Sequence, residues 1–258
     1  SDVYKRQAMP CLNAAEVFTD TKPLKVGLVG CGGRGLGAMK NALDADPGTM
    51  VWALADVFQE RIDFGAKLLA EQYGNRAQLD RSRLFSGLDS YKRLLQTDID
   101  VVLLCTPPAF RPEHLAAAID ASKHIYAEKP VAVDVPGVLS VLESARLAKL
   151  KNLVILDGFC WRYDKANEEA HRKLSSGLLG RVLSFDGLYY TTPPKSPLAL
   201  DSRPSSDTDV AWALRNWTAW NWLSGGQFVE QIVHTIDGMV WSLSLIHISE
   251  PTRRVVIS

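Results

Sequence analysis

The chain lacks any apolar run long enough to span a bilayer, although 47% of its 258 residues are hydrophobic. It reads as soluble and globular, with no membrane expected as a partner. Neither charge is in excess: 29 Lys and Arg face 29 Asp and Glu. No basic surface therefore argues for nucleic acid. Cysteine is sparse. Cys11, Cys31, Cys105 and Cys160 lack the paired spacing of a zinc site or a disulfide framework, and are expected to be small buried apolar residues. Internal repeats are missing too.

Both ends differ from the rest. The opening "SDVYKRQ" and the closing "LSLIHISEPTR" resemble in-frame translations of the transposon adapters of short-read DNA sequencing, and Ile257-Ser258 fits the same source. Residues 1–7 and 243–258 are accordingly expected to be non-native read-through and are set aside. With them go Lys5, Arg6, Arg253 and Arg254 against Asp2 and Glu250, which leaves the remainder slightly acidic. Residues 8–23 read as a flexible arm or as the remnant of an export signal, so cytoplasm and periplasm both stay open. The native part would then stop at Ser242, inside a helical pattern.

From residue 24 onward, apolar runs alternate with amphipathic stretches. "KVGLVG", "MVWALAD", "DVVLLCT", "HIYAE" and "LVILDGF" are apolar throughout rather than alternating, as in parallel strands covered on both faces. Helices are predicted over 34–45, 58–72, 112–122, 136–150 and 166–177. This is the grammar of a doubly wound α/β (Rossmann) domain over 24–160. A second, truncated domain over 161–242 follows, opening with a helix and an alternating strand "RVLSFDGLYYT" before a mobile loop over 192–209.

"VGLVGCGGRG" sets Gly30, Gly32 and Gly35 in the G-x-G-x-x-G spacing, between the first strand and the first helix. Gly30 allows the tight turn, Gly32 lets the backbone approach a pyrophosphate, and Gly35 lets helix and strand pack closely. The second strand ends on Asp56, about 20 residues further on, where a carboxylate accepts from ribose hydroxyls and repels a 2′-phosphate. NAD is therefore expected over NADP; the competing reading is that Asp56 only starts the next turn. Thr106 and Pro107 end the "DVVLLCT" strand at the same carboxyl edge, and His114 either faces that cleft or lies on the surface.

Glu128 and Lys129 reach the carboxyl edge at the end of "HIYAE", with Pro130 fixing the backbone, a cis bond being one way to do so. A lysine in a partly dry cleft can serve as proton donor or acceptor, whereas the plainer reading is a salt-bridged strand end. In "SGGQFVEQIVHTIDGMVW", Glu230, His234 and Asp237 fall at i, i+4 and i+7 and share one helical face. An acid beside a histidine suits acid/base work on a hydroxyl, although a single histidine on a helix is usually structural. Glu230 and His234 could supply two metal ligands, but no third is evident, so no metal is expected.

Together "GLVGCGGRG", "ADV", "CTPPAFRPEHLAAAIDASKHIYAEKPVAVD", "GFCWRYD" and "GGQFVEQIVHTID" resemble the glucose-fructose oxidoreductase, inositol dehydrogenase and rhizopine-catabolism (Gfo/Idh/MocA) family, over residues 24–242. The resemblance implies NAD(P)-dependent hydride transfer at a sugar or polyol carbon and a second domain with a large open sheet. Lys129 and His234 match the family's E-K-P lysine and helix histidine as catalytic residues. Glu230 stands where many members carry aspartate. Arg162 and Tyr163 match an R-Y pair at the domain junction and, with Asp237, are expected on the substrate side. The cofactor set is Gly30, Gly32, Gly35, Asp56, Thr106, Pro107, Glu128 and Lys129. Expected partners are a sugar or polyol and, at full length, further copies of the chain. Two alternatives accompany this reading: a glycoside-cleaving enzyme that retains NAD, and a non-catalytic NAD-binding regulator.

Overall fold

The computed structural model describes residues 22–180, 182–191 and 197–244. Of the arm expected over 8–23, residues 8–21 lie outside the described residues, as do residues 1–7 and 245–258 of the expected read-through; its residues 243 and 244 belong to the last helix.

The first half alternates strand and helix. In order these are β1 (Leu24–Val29), α1 (Gly33–Ala45), β2 (Thr49–Asp56), α2 (Gln59–Tyr73), β3 (Leu84–Ser86), α3 (Ser90–Leu95), β4 (Val101–Leu104), α4 (Arg111–Asp120), β5 (His124–Ala127), α5 (Val135–Leu150) and β6 (Ile155–Asp157). The strands form one six-stranded sheet, parallel throughout, in the order β3-β2-β1-β4-β5-β6. β3 and α3 are too short and too mixed in composition to stand out as apolar runs.

Strand neighbours point to opposite faces, and each face has its own core. Val26, Leu28, Val51, Leu54 and Leu103 pack with Leu36, Met39 and Leu43 of α1 and Ile62 and Leu69 of α2. Val29, Ala53, Val102, Leu104 and Ile125 pack on the other face with Leu94 of α3, Leu115 and Ile119 of α4 and Ala148 of α5. This double coverage explains why the strands read as unbroken apolar runs. The chain winds outward from β1 to β3 and then restarts at β4 on the other side of β1. A crevice opens at the carboxyl ends of β1 and β4, where that reversal occurs.

Beyond β6 lie a 3₁₀ turn (Cys160–Tyr163), α6 (Lys165–Ser175), α7 (Asp209–Arg215), α8 (Asn221–Ser224), a π-helical turn (Phe228–Ile232) and α9 (Val233–Ser244). Asp164 caps α6 by accepting from the Ala166 and Asn167 N–H groups at 3.0 and 3.1 Å. Of the strand expected over 181–191, residues 182–191 are described and are not assigned to a strand. Alternation alone does not make a strand, and among the described residues all strands belong to the first sheet. Cys160 is exposed rather than buried, because it opens a surface turn, whereas Cys31 is buried as expected.

Candidate active site

The glycine loop is built by two kinds of glycine. Gly30 has φ +98°, in the left-handed region, and donates its N–H to the Ala55 carbonyl at 2.8 Å. A Cβ at Gly30 would stand 2.8 Å from the Cys105 carbonyl, and one at Gly35 only 1.8 Å from the Gly30 oxygen. The protein itself requires these two. Gly32 differs, with an ordinary φ of −75° and open space where a Cβ would be. Contacts within the protein do not require glycine there beyond its place as the N-cap of α1. α1 begins immediately after it with no side-chain cap and no acidic residue in its first turn. Its free N–H groups and positive dipole end are therefore available to an anion.

One cavity is lined by Gly30, Gly32, Gly35, Asp56, Thr106, Pro107 and His114. Asp56 is buried; its Oδ2 accepts from the Cys31 N–H at 2.7 Å and its Oδ1 from the Phe58 N–H at 3.0 Å. It thus ties the glycine loop to the turn after β2, and each oxygen keeps acceptor capacity towards the cavity. The turn-starting reading of Asp56 is seen directly, and the spare acceptor capacity is compatible with the ribose reading. His114 faces the cleft as well, its Nδ1 3.2 Å from Thr106 Oγ1 and its ring 4.0 Å from that of Tyr91. Burial, then the Arg111 and Lys92 charges, push it down to about 3, so the imidazole is neutral.

Glu128 and Lys129, by contrast, do not line this cavity. Glu128 is buried at the end of β5 and accepts from Arg34 Nε at 2.5 Å and from the Tyr126 hydroxyl at 2.8 Å. It brackets the strand end to the glycine loop, since Arg34 belongs to that loop. Lys129 turns the other way. Its Nζ donates to the Glu230 carbonyl oxygen and lies 3.3 Å from Glu230 Oε2. The Lys129–Pro130 bond is cis.

Glu230 sits in the π-helical turn that precedes α9, so the expected regular helix begins with a wider turn. Such turns recur at functional sites. Burial raises the Glu230 carboxyl above its usual range, against the pull of Lys129. His234, one turn on, is buried, with Trp161 at 5.2 Å and Tyr189 at 6.0 Å stacked on its ring and Phe159 edge-on at 6.1 Å. Burial, then the Lys129 charge, hold it below its ordinary value, with Asp237 opposing. Glu230 Oε1 and His234 Nδ1 are both buried and without a hydrogen-bond partner among the described residues.

Arg162 and Asp237 do meet, but they engage each other: two parallel bonds of 2.9 and 2.6 Å join guanidinium and carboxylate. A second cavity is lined by Trp161, His171, His234 and Asp237, and Tyr163, which is exposed, lines neither it nor the glycine-loop cavity. Sequence reasoning missed Arg34 and Arg111. Arg111 is fully buried, donating to the carbonyls of Thr106 and Pro130 and so joining the loops that follow β4 and β5. An arginine inside a glycine loop is a readable signal for Arg34; nothing in a helix start marks Arg111 as buried.

Comparison with known proteins bears on the family and fold. The sequence model of a family described as "Oxidoreductase family, NAD-binding Rossmann fold" (Gfo/Idh/MocA) matches residues 24–156. A dTDP-3,4-didehydro-2,6-dideoxy-alpha-D-glucose 3-reductase of Actinomadura kijaniata is 28% identical over 68% of this chain and 48% of its own length. Inositol 2-dehydrogenase 2 of Saccharopolyspora erythraea is 27% identical over 82% and 57%. The crystal structure of a 3-ketoreductase from Actinomadura kijaniata with NADP and TDP-benzene superposes with a TM-score of 0.62 at 25% identity, over 86% of this chain and 58% of that one. The chain spans about half the length of the curated relatives it matches. On the matched family and the parallel sheet with its glycine loop, the chain belongs to the Gfo/Idh/MocA oxidoreductases with an NAD-binding Rossmann fold.

Proposed function

We propose that the whole protein is an NAD-dependent oxidoreductase acting at a hydroxyl-bearing carbon of a sugar or polyol, with Lys129 moving the hydroxyl proton and His234 assisting. The observation that carries this reading is the cluster of Lys129, Glu230 and His234, with two of its buried polar atoms lacking a hydrogen-bond partner among the described residues. Unpaired buried groups cost about 1–3 kcal/mol each, and they are tolerated where chemistry is done. NAD, when bound, supplies the hydride acceptor.

Gly30, Gly32 and Gly35 hold a pyrophosphate at the start of α1, a reading that the free space at Gly32 supports. Asp56 favours ribose hydroxyls and disfavours a 2′-phosphate. Thr106, Pro107 and neutral His114 wall the cleft beyond it. An ammonium has three N–H donors, of which Lys129 spends two on Glu230, so one remains for a substrate oxygen. His234, held neutral, can accept a proton. Glu230 fixes Lys129 through its carbonyl and carboxylate. Arg162 and Asp237, bonded to each other, brace the face of α9 that carries His234. The relatives' names, a sugar reductase and an inositol dehydrogenase, support a sugar or polyol as substrate.

The test is NAD reduction by the whole protein on a panel of sugars and polyols, repeated with Lys129→Ala. Turnover is expected to fall by on the order of 10²–10⁴, as for loss of a positioned acid/base group, with NAD affinity unchanged. An unaltered rate would return Lys129 to the role of a salt-bridged strand end.

A further inference from the structure

The crevice has two lips. One follows β2 and carries Val57 and Phe58; the other follows β4 and carries Ala109 and Phe110. A single apolar cluster joins both lips to a segment some 150 residues further along than the first: Phe58, Ala213, Leu214 and Leu223 form its buried centre, with Val57, Ala109, Phe110, Ala211 and Trp217 packed around it. α7 and α8 therefore bridge the crevice instead of standing beside it. Leu214 and Trp217 also line the same cavity as Gly30, Gly32 and Asp56, so their side chains form part of its wall.

Arg215 fastens this bridge. Its Nη1 lies 2.7 Å from Glu60 Oε1 on α2, its Nε 2.7 Å from Asp207 Oδ2, and its guanidinium 3.9 Å from the Phe58 ring centre. The pair with Glu60 is partly exposed and weak alone; desolvated apolar contact carries most of the closure. Leu223 is fully buried, so lifting the segment would expose the centre of the cluster to water.

We propose that the segment from Asp207 to Ser224 is a strap over the adenosine half of the bound dinucleotide. Leu214 and Trp217 form its apolar roof, Arg215 is its fastener, and the cofactor leaves only when the strap lifts. This rests on the cofactor reading above: with the pyrophosphate at α1 and the ribose at Asp56, the adenine lies between the two lips that the strap joins. A flat aromatic base suits a roof of leucine and indole. Closure that must be undone before release acts on the dissociation rate more than on encounter.

NADH is the probe, with the 258-residue chain. Its binding is expected to quench tryptophan emission by energy transfer, and Trp217→Phe, which keeps the packing, should reduce that signal. Arg215→Gln and, from the other side of the clasp, Glu60→Gln are expected to speed NADH dissociation in stopped flow by roughly tenfold. Reduced nicotinamide mononucleotide, which has no adenosine, should dissociate at the same rate from all forms. NADH dissociation unchanged within about twofold in both fastener variants, or equal acceleration for the mononucleotide, overturns the strap. No NADH binding by the unaltered chain overturns the cofactor reading itself, and the strap with it.

Discussion

A methyl group at Gly35 would sit 1.8 Å from the Gly30 carbonyl oxygen, whereas one at Gly32 would meet nothing within 4 Å. The two substitutions should therefore separate folding from binding. Gly35→Ala is expected to lower stability by about 2–3 kcal/mol, as overpacking at a rigid contact does. Gly32→Ala, with an unstrained backbone, should cost under about 1 kcal/mol through its place at the helix start and yet weaken NADH binding. Urea unfolding and an NADH titration on each variant check this; equal losses of stability would refute it. Both glycines were legible in sequence, because the spacing encodes a backbone requirement. The partners of Glu128 were not: Arg34 is 94 positions away and meets it only across the sheet edge. Likewise Asp56 reads as a ribose ligand in sequence, but its bonds to the Cys31 and Phe58 N–H groups are visible only once the loop is folded.

At the level of elements, periodicity found what burial makes regular. α1, α2, α4, α5 and α6 fall within a residue or two of their expected bounds, since each has a helical period or a clear stop. α3, α7 and α8 are short and take their stability from packing, with Leu94, Leu214 and Leu223 as their anchors, so no local pattern announces them. Residues 182–191 of the strand expected over 181–191 stay irregular, since alternation alone does not fix a strand and the described strands all belong to the first sheet. α4 gives a pH-dependent consequence. His114 titrates near 6.5 when unfolded but is pushed down to about 3 in the fold. Between those values the unfolded chain holds a proton that the folded chain lacks, so stability falls as pH drops through the window, by on the order of 1.4 kcal/mol per unit from this group. Above about pH 6.5 the contribution is fully present. His114→Gln should flatten the slope between pH 6.5 and 5 in urea midpoints; an unchanged slope would place the acid sensitivity elsewhere.

Across the whole molecule, apolar surface is unevenly finished. On α5, Val135, Val138, Leu139 and Leu142 are exposed in a stripe at helical spacing, and Val154 and Leu156 are exposed at the neighbouring sheet edge. A contiguous apolar patch of that kind promotes association in water. Replacing Leu139 with Lys and Leu142 with Glu is expected to reduce dye binding and light scattering, while the unfolding midpoint moves by no more than about 0.5 kcal/mol equivalent. A large loss of stability would show that the stripe is covered rather than exposed. The bridge made by α7 and α8 has a consequence in time as well as in space. Every strand of the sheet, the glycine loop and both lips of the crevice have been synthesised by residue 157, about 50 residues before Asp207. At roughly 5–20 residues per second, a ribosome leaves the crevice unroofed for several seconds. On the strap reading, a dinucleotide taken up by the nascent chain would be enclosed once α7 and α8 are added.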